Sequence, residues 1–176
     1  MSTPDALRTQ LTNQLDGTVA RRSTQEILGD VPPAARGVQP EGLPEVYSLW
    51  QILEHVRITQ ADYFNYCVNP DYSFPDWPDG YWPDAVGPPS DEAWTESIEQ
   101  FEADRQEVRE FINDPTVDLA ADIPHADGES YHGTTYAHEL ASLVDHTSYH
   151  LGQFVTVRRL LDVWPPEGTE PPSWAE

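Results

Sequence analysis

The sequence predicts an all-α protein, a bundle of four helices joined by long loops. Three observations carry that reading. Four stretches repeat apolar residues every three to four positions, Pro and Gly separate those stretches, and the chain holds enough apolar material for a core. Of 176 residues, 38% are hydrophobic and 11% aromatic, including six Trp. One domain over 1–164, followed by a Pro-rich tail over 165–176, fits this length.

The first helix is expected to open at Ser2-Thr3-Pro4, a cap residue followed by Pro at the first helical position. Leu7, Leu11, Leu15 and Val19 recur every four residues, and the helix is expected to end near Gly29. Residues 31–44 hold four Pro and two Gly and read as a loop. The second helix is expected from about Glu45 to Val68, with Leu49, Ile52, Leu53, Val56, Tyr63, Phe64 and Cys67 on one face. Residues 69–89 contain six Pro and five aromatics (Tyr72, Phe74, Trp77, Tyr81 and Trp82). Such a segment is no helix, and its aromatics predict a loop packed on the body. The third helix starts after the N-cap Ser90, with Asp91 and Glu92 complementing its dipole. Trp94, Ile98, Phe101, Arg105, Val108 and Ile112 form a heptad seam interrupted by Arg105, and the helix stops at Asn113-Asp114-Pro115. After a loop over 115–133, the fourth helix is expected from about Thr134 to Trp164. One of its stripes is Leu143, His146, His150, Phe154, Val157 and Leu161, and a second is Leu140, Val144, Leu151 and Val155. Two stripes predict burial on two sides, in the bundle and at a dimer interface.

Charge narrows the function classes. The chain has 31 Asp+Glu against 9 Lys+Arg, all nine being Arg, for a net charge of −22. A phosphate backbone or an anionic membrane surface would be repelled, so nucleic-acid and membrane partners are not expected. No stretch reaches membrane-span length, and the N-terminal MSTPDALRTQLTNQ does not read as a secretory signal. A single cysteine, Cys67, excludes an intramolecular disulfide framework and a multi-thiolate metal site, and reads as a small buried hydrophobe. The expectation is a cytoplasmic protein. The acidity is compatible with adaptation to a salty cytoplasm, or with a merely acidic, Arg-rich proteome.

The chemistry concentrates in the histidines. His146 and His150 stand four apart on the fourth helix, on the inward stripe, so both rings reach one cation. His146 is followed by Thr147, so no HExxH motif and no zincin Glu base is present. An HxxxH pair can also be one satisfied donor and one surface residue, but inward imidazoles are expensive unless something satisfies them. His55 lies in the apolar segment LWQILEHVRI at the edge of its core stripe. Three His from two helices fit a three-nitrogen site with an open position. His138 reads as a surface residue, and His125 and His132 as turn residues, with His125 able to swing over the site. Glu139 lies two turns from His146 and reads as a solvated Glu or an outer carboxylate. Arg105 reads as a snorkelling stem with its head at the rim, or as an anion-binding group facing the cavity.

The pattern LWQILEHVRITQ followed about 90 residues later by VDHTSYHLGQFVTVRRLL resembles the DinB/YfiT-like superfamily, over nearly the whole chain. The resemblance implies a four-helix bundle, often dimeric and often in up-down-down-up order. It also implies a divalent metal held by three His, matching His55, His146 and His150 before Gly152-Gln153. Relatives include S-transferases that use low-molecular-weight thiols, and others described as hydrolases. Zn²⁺ is the first expectation, with Ni²⁺ or Fe²⁺ as alternatives, since imidazole suits all three. The functional expectation from this resemblance is a metal-dependent enzyme acting on a small molecule, of thiol S-transferase or hydrolase type, with a low-molecular-weight thiol as partner in the first case. The alternatives are a non-catalytic, stress-related metal- or ligand-binding bundle, and a structural dimer with an empty His cluster. No general base stands out; Tyr149, Glu139, His125 and Arg105 are the candidates, and the Trp/Tyr loop over 72–82 is expected to cap the cavity.

Overall fold

Local capping sets the boundaries of the helices. The structure, a computed structural model, describes residues 3–17, 22–126, 133–166 and 168. It is all-helical: α1 Thr3–Asp16, α2 Thr24–Leu28, α3 Leu49–Val68, α4 Asp91–Asn113 and α5 Tyr136–Leu160, with a 3₁₀ turn at Pro33–Ala35. Among the described residues there is no strand, only an isolated bridge between Asp122 and Thr135. No described helix is long and apolar enough to cross a membrane.

The expected first helix is two. Gly17 sits at φ 73, a left-handed conformation that ends α1 one residue earlier. Ser23 then starts α2 with a capping box, its hydroxyl accepting from Glu26 N while the Glu26 carboxylate accepts from Ser23 N. Leu11 and Leu15 are buried as expected. Ser2 and Val19 lie outside the described residues, as does nearly all of the tail from 167 onward.

Ser48 starts α3 four residues later than expected, again through a capping box, here with Gln51. Ser90 caps α4 and Thr135 caps α5, through the amides of Ala93 and His138. α5 ends at Leu160 rather than Trp164, and Val163 and Trp164 fold back onto the core.

α3 packs on α5 and α4, α1 packs on α4 and α5, and α2 packs on α5. One apolar cluster joins Leu49, Ile52, Leu53 and Val56 of α3 to Trp94, Phe101, Leu151 and Phe154. A second joins Leu11 and Leu15 of α1 to Val108 and Ile112 of α4 and Leu140, Leu143 and Val144 of α5. Both stripes of α5 are therefore covered within the chain.

Two buried arginines organise this packing. Arg105 is 6% exposed, and its guanidinium pairs with Glu102 at 3.1 Å and Asp16 of α1 at 3.5 Å. Its head is thus neither at the rim nor facing a ligand cavity; two carboxylates hold it between α1 and α4. Arg158 is fully buried and donates to the carbonyls of Ile27, Gly29, Asp30 and Val163. The Trp164 ring covers its guanidinium at 4.8 Å. It ties the end of α2 to the end of α5.

The long loop over 69–89 is fastened to the start of α3. The Ser48 hydroxyl donates to Val86 O and the Gln51 amide to Pro83 O at 3.2 Å. Tyr81 is 3% exposed. The expected packing holds for part of the loop's aromatics: Tyr81 is buried and Tyr72 and Trp82 are half-buried, while Phe74 and Trp77 are exposed. Tyr81 and Trp82 meet the body where the histidines are.

Candidate metal centre

α3 carries His55, Thr59 and Asp62 at i, i+4 and i+7, a single stripe along one helical face. α5 carries His146 and His150 one turn apart on the side facing α3. Ligand nitrogens of His55, His146 and His150 lie within 4.8 Å of one another, close enough to hold a metal ion. His55 is 2% and His150 8% exposed, and His146 is half-buried.

The hydrogen bonds around the rings fix where their protons are. His55 Nδ1–H donates to the carbonyl of Tyr81 at 2.9 Å, since a carbonyl only accepts. His150 Nδ1–H donates to Gln153 Oε1 at 2.8 Å. Each neutral ring then carries its lone pair on Nε2, and these two atoms face each other at 3.2 Å. Two lone pairs at that distance repel unless a cation lies beside both. The buried Nδ1 of His146 has no hydrogen-bond partner either. His55 and His150 turn acceptor nitrogens toward each other, and the His146 ring lies against both; three clustered imidazoles are a donor set that suits a divalent transition metal. The orienting acceptors on the opposite ring nitrogens are what metal-ligating histidines require.

Burial also keeps the rings neutral. It pushes His55 from 6.5 down to about 3, with further push from His150 and His146 and opposition from the Tyr81 carbonyl. Burial pushes His146 down to about 4, helped by His150 and opposed by Asp145. His150 is lowered mainly by burial, with the Gln153 hydrogen bond opposing. All three are ready to ligate at neutral pH without losing a proton.

Trp82 is the wall of the site. Its ring stacks on His55 at 3.7 Å and 6°, and Tyr47 stacks on its other face at 3.9 Å and 14°. Beside the histidines opens a cavity of about 400 Å³ lined by His55, Thr59, Asp62, Tyr63, Trp77, Tyr81 and His146. The Asp62 carboxylate accepts from Tyr72 OH at 2.7 Å and from Tyr81 OH at 3.1 Å, pinning the loop to α3.

The other candidates lie elsewhere. His125 Nε2 bonds Tyr66 O at 2.6 Å, at the far end of α3. His138 is exposed, as expected, and His132 lies outside the described residues. Glu139 is not solvated: it is fully buried and accepts from Gly133 N–H at 2.7 Å at the start of α5. Tyr149 is 64% exposed, its ring edge-on to His150. Burial pushes the Cys67 thiol far up, with Glu139 adding to it, so the thiol is an inert hydrophobe. Asp62, Thr59, Tyr63 and the stacking role of Trp82 have no motif of their own; the i, i+4, i+7 spacing from His55 is the signal that points to Thr59 and Asp62. Gln153 stands within the HxxxHxGQ pattern.

Comparison with curated proteins finds no match, and comparison with solved structures finds none. The family model of the DinB superfamily matches residues 17–154, a span that includes all three clustered histidines. The chain belongs to the DinB superfamily.

Proposed function

We propose that His55, His146 and His150 hold one divalent metal ion and that the protein is a metal-dependent enzyme acting on a small molecule in the adjoining cavity. The observation that carries this reading is the pair of Nε2 lone pairs facing each other at 3.2 Å, with both Nδ1 protons committed elsewhere. Zn²⁺ is the preferred ion, with Ni²⁺ or Fe²⁺ as alternatives, because three neutral imidazoles suit each. A bound ion supplies a Lewis acid that favours the ionised form of a thiol or of water.

The chain's own residues do the rest. The Tyr81 carbonyl and Gln153 hold the tautomers of His55 and His150. Trp82 holds the His55 ring in plane and shields it from water. Tyr63, Trp77 and Tyr81 give the cavity apolar walls, so a substrate there is largely desolvated. Thiol transfer to an electrophile is the favoured reaction type, and hydrolysis the alternative. The proposal includes a four-helix bundle in up-down-down-up order, one domain over 1–164, a homodimeric assembly and a cytoplasmic location. A non-catalytic metal site is the second reading; among the described residues no side chain is placed as a general base against the three ring nitrogens.

Catalysis is tested by comparing thiol conjugation to small electrophiles between wild type and His150→Ala. The account expects loss of the metal-dependent rate in the variant; equal rates dismiss the catalytic reading.

A further inference from the structure

Rings dominate the wall of the cavity beside the histidines. His55 and His146 line one end, and Tyr63, Trp77 and Tyr81 supply most of the remaining surface. Among the described residues no Leu, Ile, Val or Met lines it, and no Arg. Trp77 is 73% exposed with its ring 5.5 Å from that of Tyr81, so it forms the rim. The Tyr63 ring lies 5.8 Å from that of His146 and carries the aromatic wall to the histidine end. The two apolar clusters that hold the bundle together are built largely from aliphatic side chains, so this lining sets the cavity apart from the core.

The polar groups of the wall are engaged within the protein. The Thr59 hydroxyl donates to the His55 carbonyl at 2.7 Å. The Tyr81 hydroxyl donates to the Asp62 carboxylate, which also accepts from Tyr72. A charged ligand group would therefore give up its water for groups that already have partners, at a cost in free energy. No arginine stands at the wall to receive an anion, and the net charge of −22 opposes its approach. A neutral ring loses little on leaving water, and it gains edge-to-face and offset contacts with aromatic side chains beyond what burial gives. The volume of about 400 Å³ stands at the small end of ligand pockets, and suits a compound of about one or two rings.

We propose that this cavity is the subsite for a neutral aromatic compound, its ring against Tyr63, Trp77 and Tyr81 and its reacting group at the His55–His146 end. This deepens the metal reading, on which only the second end rests.

The test separates the two ends. Benzyl alcohol, cyclohexylmethanol, benzylammonium and benzoate are titrated into wild type stripped of metal with a chelator, with binding read by calorimetry and by the indole resonances in NMR. Cyclohexylmethanol is the more hydrophobic of the two alcohols, so an unselective apolar cavity prefers it. The proposal expects the reverse: benzyl alcohol about fivefold or more tighter, a difference near 1 kcal/mol, with both ions weaker than benzyl alcohol. Cyclohexylmethanol binding as tightly as benzyl alcohol overturns the aromatic selectivity, and either ion binding as tightly overturns the neutral class. In Trp77→Leu, a change at an exposed position, benzyl alcohol is expected to weaken about threefold or more while cyclohexylmethanol stays within about twofold. A Trp77→Leu protein that melts as wild type does and keeps its full affinity for benzyl alcohol overturns the placement of the ring. Benzyl mercaptan is then compared with ethanethiol and benzyl alcohol on zinc-loaded protein. Binding tighter than both supports a ring in the cavity and a sulfur at the metal together; no gain over either one overturns the second end. Failure to take up zinc sinks the metal reading alone, since the ring ranking is measured without it.

Discussion

Replacing Gln153 by Leu isolates one hydrogen bond of the metal centre. The Gln153 Oε1 accepts from His150 Nδ1–H at 2.8 Å, and that bond leaves the Nε2 lone pair aimed at His55 Nε2, 3.2 Å away. Leu fills similar space but accepts nothing, so the ring is freed to rotate and to exchange tautomers. Losing an orienting acceptor behind a metal-ligating imidazole weakens metal binding by about 10–100-fold. That range corresponds to roughly 1.4–2.7 kcal/mol. The assay is competition for Zn²⁺ against a chromophoric chelator at pH 7.5, on wild type, Gln153→Leu and Gln153→Glu. The account predicts weaker binding in Gln153→Leu and binding at least as tight as wild type in Gln153→Glu, whose carboxylate is a stronger acceptor. Because Gln153 is only half-buried, the melting temperature of the metal-free protein should change little. Unchanged zinc affinity in Gln153→Leu refutes the reasoning. So does a loss of affinity matched by an equal loss of metal-free stability, which would make Gln153 a packing residue.

Three further outcomes follow from the same geometry. Arg158→Met strips four carbonyls of a buried donor, and is expected to destabilise the fold by about 3–5 kcal/mol, lowering the melting temperature by on the order of 10 °C; a shift within a degree or two by calorimetry contradicts the clamp. In the metal-free protein, His55 and His146 protonate at about 3 and about 4 when folded but at the ordinary 6.5 when unfolded. The unfolded chain therefore takes up protons first as pH falls, so stability is complete above 6.5 and declines below it. Urea midpoints should drop between pH 6.5 and 5, less so in the His55→Ala, His146→Ala double variant, and a flat wild-type profile over that window refutes the burial of neutral rings. Finally, self-repulsion at −22 should be screened by salt, so the melting temperature is expected to climb from low to multimolar KCl; equal stability throughout ends the halophile reading.

Periodicity and capping residues made most of the fold legible. The 4-3-4-3-4 seam of α4, its Ser90 cap and its stop at Asn113 are local signals, and they match the structure to the residue. The inward aim of His146 and His150 follows from their place on the α5 stripe, and His55 from its apolar neighbours. The break between α1 and α2 was harder to see because helical apolar spacing continues across it; Gly17 and the Ser23–Glu26 box were the local signals against continuity. Long-range pairing was hidden. Nothing local shows that Arg105 meets Asp16, that Arg158 meets the end of α2, or that Glu139 is buried and accepts from Gly133 N–H ahead of its helix. The same holds for Trp82 on His55 and for the two tyrosines on Asp62, where a Pro-rich loop returns to a helix over a path that no periodicity encodes.

The central claim is that three histidines hold one metal ion, and elemental analysis tests it most directly. Wild type, His55→Ala and His146→Ala are purified side by side, loaded with Zn²⁺ or Ni²⁺, passed over a desalting column and measured for metal per chain. The account predicts one ion per wild-type chain, a strongly reduced content in each variant, and a higher melting temperature of wild type with metal. Wild type that retains no ion and melts at the same temperature with and without Zn²⁺ or Ni²⁺ contradicts it, and so does a full complement of metal in both variants.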